Sequence, residues 1–171
     1  MSGQYRFFLA PLPGCPPEIV EEYRIAAAQS PTLDSGFDLR LPEDLRLTDD
    51  LDQCRVDHQV VGQMVHTPTG RVAPWTLLPR SSLSKTRLRL ANSEGVMDIP
   101  YTGPAIAALD VLPGETAPLR HPAGSRLVQV LAPDRWPFPV TLCTVEEIRA
   151  RLEAEHGATT RGTGGFGSTG H

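Results

Sequence analysis

Proline and glycine punctuate this chain too often for long helices: 17 prolines and 15 glycines are spread through 171 residues. Each proline removes a backbone donor and fixes φ, and each glycine weakens the element it interrupts. Short strands joined by many turns tolerate that load, whereas a helical bundle does not. Strand-type runs fall at residues 5–9, 37–41, 56–66, 87–92, 105–112, 126–131 and 138–143. Arg87-Leu88-Arg89-Leu90 alternates polar and apolar as a half-buried strand should. Pro68-Thr69-Gly70, Pro113-Gly114 and Pro122-Ala123-Gly124 separate the runs as turns. The expected fold is therefore all-β, a sandwich or barrel, in a chain with room for one domain and an arm at either end.

Two stretches depart from that pattern. After Pro16-Pro17, residues 18–28 place Ile19, Val20, Tyr23 and Ala27 on one helical face, and Ser30-Pro31 supplies the stop. Thr144 and Glu147 have capping-box spacing, Val145, Ile148 and Leu152 share a face, and Gly157 sits at a C-cap position, which predicts a second helix. Residues 158–171 are glycine-rich and too polar for a core element. The expected division of the single domain is an N-terminal strand and helix over 1–34, a β-barrel core over 35–143, a helix over 144–157 and a C-terminal arm over 158–171.

The formal net charge of −4 gives no basic footprint for nucleic acid. A polyanionic ligand would need a few local arginines or a metal ion. Cys15, Cys54 and Cys143 are odd in number and far apart, which reads as reduced thiols in a cytosol-like compartment. No apolar run reaches membrane-spanning length, and the N-terminus lacks the layout of a secretory signal. The expected location is the cytoplasm, or the nucleus for a eukaryotic or viral source. The histidines have no ligand spacing and no serine sits in a nucleophile elbow. Glu43-Asp44, Asp49-Asp50 and Asp52 read as a solvated loop.

Four segments are richer than scaffolding requires. In Pro79-Arg80-Ser81-Ser82-Leu83-Ser84 a guanidinium, hydroxyls and turn backbone can hold phosphate oxygens; alone, it also reads as a turn with a solvated arginine. Residues 92–101, Asn-Ser-Glu-Gly-Val-Met-Asp-Ile-Pro-Tyr, put an amide, a carboxylate and a tyrosine around Gly95, with apolar Val96, Met97 and Ile99 beside Asp98. That suits a base shielded from bulk water, or equally an ordinary hairpin. Ser35-Gly36-Phe37-Asp38-Leu39-Arg40 opens a strand that carries an aspartate, which alone reads as structural. Arg161-Gly162-Thr163-Gly164-Gly165-Phe166-Gly167-Ser168-Thr169-Gly170 offers backbone N–H groups, hydroxyls and a lone aromatic, though a glycine-rich terminus is also a common polar tail.

Taken in order, these segments resemble the conserved motifs of the trimeric dUTPase (deoxyuridine 5′-triphosphate nucleotidohydrolase) family. Ser35-Gly36-Phe37-Asp38-Leu39 is similar to the first motif, Pro79-Arg80-Ser81-Ser82-Leu83 to the second and Gly95-Val96-Met97-Asp98-Ile99-Pro100-Tyr101 to the third, with Asn92 upstream. Gly124-Ser125-Arg126-Leu127-Val128-Gln129 resembles the fourth, and residues 161–170 match the fifth almost letter for letter. The resemblance implies a dUTPase-like jelly-roll barrel that assembles as a homotrimer and hydrolyses dUTP to dUMP and pyrophosphate. Such an activity limits uracil in DNA and supplies dUMP. Asp98 would activate the attacking water and Tyr101 would sit under the deoxyribose. Asn92, Gly95, Val96 and the hairpin backbone would read uracil. Arg80, Ser81, Ser82 and Gln129 would contact the phosphates, supported by Asp38. Arg161, Phe166, Gly167, Ser168 and Thr169 would close over the nucleotide. Mg²⁺ would be held by phosphate oxygens and water, with no dedicated protein ligands and no nucleic-acid or membrane partner.

The chain departs from the family pattern in three places. Thr102-Gly103-Pro104 stands where arginine-glycine is usual after the tyrosine, and Pro104 is expected to disturb strand pairing there. The helix over 144–157 lengthens the link to the arm, and the helix over 18–28 has no counterpart in the motifs. Rival readings are a dCTP deaminase, or a bifunctional deaminase-dUTPase, on the same fold, and a non-catalytic nucleotide-binding regulator. The phenylalanine-bearing tail argues against the deaminase, and Asp98 with the intact tail argues against the regulator.

Overall fold

The computed structural model describes residues 3–48, 51–114 and 120–157. The punctuated runs form short strands in four small sheets. The first has β1 (Tyr5–Pro11) between β13 (Val140–Leu142), which is parallel to it, and β5 (Val60–His66), which is antiparallel, with β6 (Arg71–Ala73) beyond β5. The second is ordered β2 (Gly36–Arg40), β12 (Arg126–Leu131), β7 (Trp75–Pro79), β9 (Gly95–Met97). The third places β10 (Ile106–Val111) between β4 (Gln53–Asp57) and β8 (Leu88–Leu90), and β3 (Leu45–Arg46) pairs with β11 (Arg120–His121). This is an all-β architecture with two helices, as the turn density predicts.

Alternation along the strands sends one set of side chains into a common core. Phe7 and Leu9 of β1, Phe37 and Leu39 of β2, Leu77 of β7, and Val128 and Val130 of β12 are all buried in one cluster. Each such apolar side chain contributes about 1.5–3 kcal/mol by leaving water. The Phe7 ring meets Trp75 edge-on at 5.2 Å and passes directly over Gly62, where a Cβ would lie 2.4 Å from the ring. Gly62 is therefore glycine for want of space, since any side chain there overpacks the core.

Both expected helices are present. Helix α1 (Pro17–Ala28) starts on proline and buries Ile19 and Tyr23. Helix α2 (Val145–His156) carries the reciprocal capping box, with Thr144 Oγ1 accepting the Glu147 N–H and Glu147 Oε2 accepting the Thr144 N–H. It lies on the first sheet through Ile148 and Leu152, and Arg151 reaches over the Phe8 ring at 3.8 Å. At its end Glu155 accepts the free Val72 N–H of edge strand β6 at 2.6 Å and an Arg71 N–H at 3.1 Å. The Val72 contact, seconded by Arg71, holds the Glu155 carboxyl below its ordinary range. Among the described residues, no helix is long and apolar enough to cross a membrane.

Two sequence expectations change. The run over 56–66 is two strands, broken at Gln59, which takes a positive φ of 56° and donates its N–H to Asp57 Oδ1. No proline or glycine marks that break, so hydropathy alone runs through it. Asp44, read as part of a solvated loop, instead accepts the Ala123 N–H at 3.0 Å and pairs with Arg120, tying the β3–β11 ribbon to the turn before β12. That backbone donor and the guanidinium hold its carboxyl below the usual carboxylate range.

Candidate active site

On the sheet ordered β2, β12, β7, β9, register sets which residues face away from the core. Asp38 pairs with Gln129 and Gln129 with Leu78, so all three lie on the outward face, opposite Phe37, Val128 and Leu77. Arg80 follows the last residue of β7. Its N–H donates to the Leu127 carbonyl, and the 3-10 turn Ser81–Lys85 that starts there is anchored by buried Leu83. Arg80 is thereby aimed back along the outward face. Its Nε meets Asp38 Oδ1 at 2.7 Å, while Arg126 Nη1 meets Asp38 Oδ2 at 3.3 Å. Arg80 Nη1 also donates to the Arg126 carbonyl at 3.3 Å and to Ser82 Oγ at 3.4 Å. Ser81 and Ser82 are exposed beside it.

One carboxylate shared by two guanidiniums leaves a net positive charge at a half-exposed surface. Forked N–H donors and hydroxyls at such a place match an oxyanion such as phosphate. Gln129 completes the cluster by donating from Nε2 to the Pro79 carbonyl at 3.2 Å. Its amide oxygen lies where a Cβ on Gly36 would be, at 2.1 Å, so glycine in the first segment is what lets the glutamine of the fourth lie flat on the sheet.

The second group of residues belongs to the hairpin at the other edge of the same sheet. Strand β9 pairs with β7 through Leu77–Gly95 and Trp75–Met97. Ser93, with a positive φ of 57°, turns the chain into it. Asn92, Val96 and Asp98 are exposed, Val96 at 63%. The Tyr101 N–H donates to the Asp98 carbonyl at 3.1 Å, closing a turn that fixes the two residues relative to each other. The Tyr101 hydroxyl donates to the Pro104 carbonyl at 2.7 Å, and a Cβ at Gly103 would lie 2.6 Å from the Tyr101 phenolic oxygen. The Thr102-Gly103-Pro104 departure therefore provides both the space and the acceptor that hold the tyrosine ring. Strand β9 pairs with β7, and β10, which follows Pro104, pairs with β4 and β8 instead.

The structure thus brings Asp38, Arg80, Ser81, Ser82 and Gln129 together, and separately groups Asn92, Gly95, Val96, Asp98 and Tyr101. Asp38 on β2 stands three strands from β9, about 14 Å at ordinary strand spacing, whereas Gln129 lies on β12 and Arg80, Ser81 and Ser82 follow β7, which pairs directly with β9. Arg161, Phe166, Gly167, Ser168 and Thr169 lie outside the described residues. No role for Arg126 follows from the sequence segments. Counted along a regular strand, a position three before Gln129 points to the opposite face. A register shift between Arg126 and Val128 turns it outward onto Asp38. A bulge leaves no hydropathy signal, so only the G-S-R-L-V-Q segment as a whole pointed there.

No protein-family model matches the chain. Individual relatives do. It is 34% identical over 140 residues to the deoxyuridine 5′-triphosphate nucleotidohydrolase of Corynebacterium jeikeium (strain K411), covering 80% of each chain. It is 38% identical over 145 residues to the protein of the same name from Dinoroseobacter shibae, covering 80% of this chain and 81% of that one. The Mycobacterium tuberculosis (strain ATCC 25618 / H37Rv) protein of that name is 33% identical over 138 residues, covering 80% and 82%. The chain belongs to the dUTPase family. Its all-β sheets, with helices α1 and α2 beside them, are of the dUTPase jelly-roll type.

Proposed function

We propose that this chain hydrolyses Mg²⁺-bound dUTP to dUMP and pyrophosphate, by attack of an Asp98-activated water on the α-phosphorus. The observation that carries the reading is the Arg80–Asp38–Arg126 cluster, an outward-facing cationic seat on the sheet whose edge strand β9 leads into the Asp98–Tyr101 turn. Arg80, Ser81, Ser82, Gln129 and Arg126 receive the phosphates, and Asp38 holds the two arginines apart at a fixed spacing. The exposed hairpin takes the base: Asn92 and the strand backbone read the uracil edge, and Val96 stands beside them. A merely apolar pocket distinguishes a methyl group by only about 1–3 kcal/mol, so rejection of thymine falls to the unyielding backbone at Gly95, which lies close against Leu77. Tyr101, locked by Gly103 and Pro104, forms a floor that a 2′-hydroxyl cannot enter.

A homotrimer would complete each site by setting one copy's seat against another copy's hairpin. The arm over 158–171, with Arg161, Phe166, Gly167, Ser168 and Thr169, would then close over the nucleotide. Among the described residues, no group of three or more His, Cys, Asp or Glu could hold a metal ion, and both oxygens of Asp38 already face arginines. Mg²⁺ would be carried in on the triphosphate, as it commonly is in nucleotide sites. Bound there, the ion neutralises phosphate charge. The protein's share is to position the water in line and stabilise charge with Arg80 and Arg126.

Hydrolysis in ¹⁸O-labelled water tests the mechanism. The expected result is one labelled oxygen in dUMP and none in pyrophosphate. Label in pyrophosphate would place the attack on the β-phosphorus and remove Asp98 from its role.

A further inference from the structure

Among the described residues strand β2 is the outermost of its sheet, with no neighbouring strand beyond Asp38. Helix α1 stands there instead. Tyr23 is fully buried, stacks on Phe37, and accepts the Arg40 N–H on its phenolic oxygen at 2.8 Å. The Arg40 carbonyl accepts the Nδ1–H of buried His58 at 2.9 Å, and burial holds that ring neutral by lowering its pKa. The Arg40 guanidinium lies over the Tyr23 ring at 5.3 Å, donates from Nε to Glu22 at 2.5 Å and from Nη1 to the Asp38 carbonyl at 3.4 Å. Arg40 shares the outward face with Asp38 and pairs across the strand with Arg126. A cleft of about 190 Å³ separates Ala26 and Gln29 at the end of α1 from Asp38, Arg40 and Arg126. On that side the Arg40 contacts therefore take the place of close packing.

We propose that α1 is a positioning element of the phosphate seat: Glu22 and Tyr23 clamp Arg40, and Arg40 sets where Asp38 presents Arg80 and Arg126 to the triphosphate. This rests on the dUTPase reading above and adds to it a task for the helix that the motifs leave without one. Tyr23 and Glu22 touch no substrate in this arrangement. They act through the backbone of β2.

The test uses the full chain with Mg²⁺ and measures affinity for α,β-imido-dUTP and for dUMP, together with melting temperature. Tyr23→Phe deletes one hydroxyl and leaves the Arg40 N–H without its acceptor. It is expected to weaken the triphosphate analogue at least about fivefold, as loss of one buried hydrogen bond would, while dUMP stays within about twofold. Glu22→Gln, at a half-exposed side chain, is expected to shift the same ratio in the same direction, and decides the matter if Tyr23→Phe does not fold. Ile19→Val, a packing change on the same helix, is expected to lower the melting temperature with both affinities unchanged. Equal loss of both ligands in Tyr23→Phe, or no loss of either, overturns the clamp and leaves α1 as scaffold. A parent chain that binds neither ligand overturns the substrate reading itself, and the clamp with it.

Discussion

Asp98→Asn is expected to bind dUTP about as tightly as the parent and to turn it over roughly 10²–10⁴-fold more slowly, the usual worth of a general base. The substitution keeps size and hydrogen-bonding reach, and removes the capacity to take a proton from water. Asp98 is exposed in the single chain, and the turn to Tyr101 is closed by its backbone carbonyl, which the substitution keeps. Tyr101 stays seated by Pro104 in either case. Stopped-flow turnover with an independent measurement of affinity separates the two effects. Turnover within about threefold of the parent would remove Asp98 as the base, because that is far below what such a group contributes.

Deleting residues 161–171 is the second large effect. The expected result is a chain of unchanged melting temperature whose kcat/KM for dUTP falls by about 10²-fold or more, as loss of substrate positioning does. Stability should hold because the last helix is secured upstream of the cut. Ile148 and Leu152 are buried, Arg151 donates to Gln63 and covers Phe8, and Glu155 caps the edge of β6. Gly157, with a positive φ of 73°, already ends the helix. Full activity after the deletion would refute a closing role for Arg161, Phe166, Ser168 and Thr169. A large drop in melting temperature would instead make the arm part of the fold.

Much of the fold was legible because its signals are local. Thr144 and Glu147 announce their helix by reciprocal capping, Pro17 opens α1, and residues 126–131 form a strand with the bounds their pattern predicts. The turn at Gln59 was hidden because its positive φ is stabilised by Asp57 and not by a glycine. Asp44 was misread because its partners, Arg120 and Ala123, are distant in sequence.

The candidate site divides in the same way. Asp38, Arg80 and Gln129 could be named from their segments, but their meeting depends on cross-strand register. The outward turn of Arg126 depends on a bulge, and the clamp on Arg40 depends on where α1 docks. Such contacts belong to tertiary structure, and a single sequence holds no periodic trace of them.

The most direct test of the account is pyrophosphate release in the presence of Mg²⁺, measured side by side with dUTP, dTTP, dCTP and UTP. The account predicts rapid release from dUTP and little from the other three, because the hairpin excludes a methyl and misreads cytosine while Tyr101 excludes the ribose. Comparable release from all four would contradict the pocket described for Asn92–Tyr101. Ammonia from dCTP, or no turnover of any nucleotide, would contradict the proposed reaction.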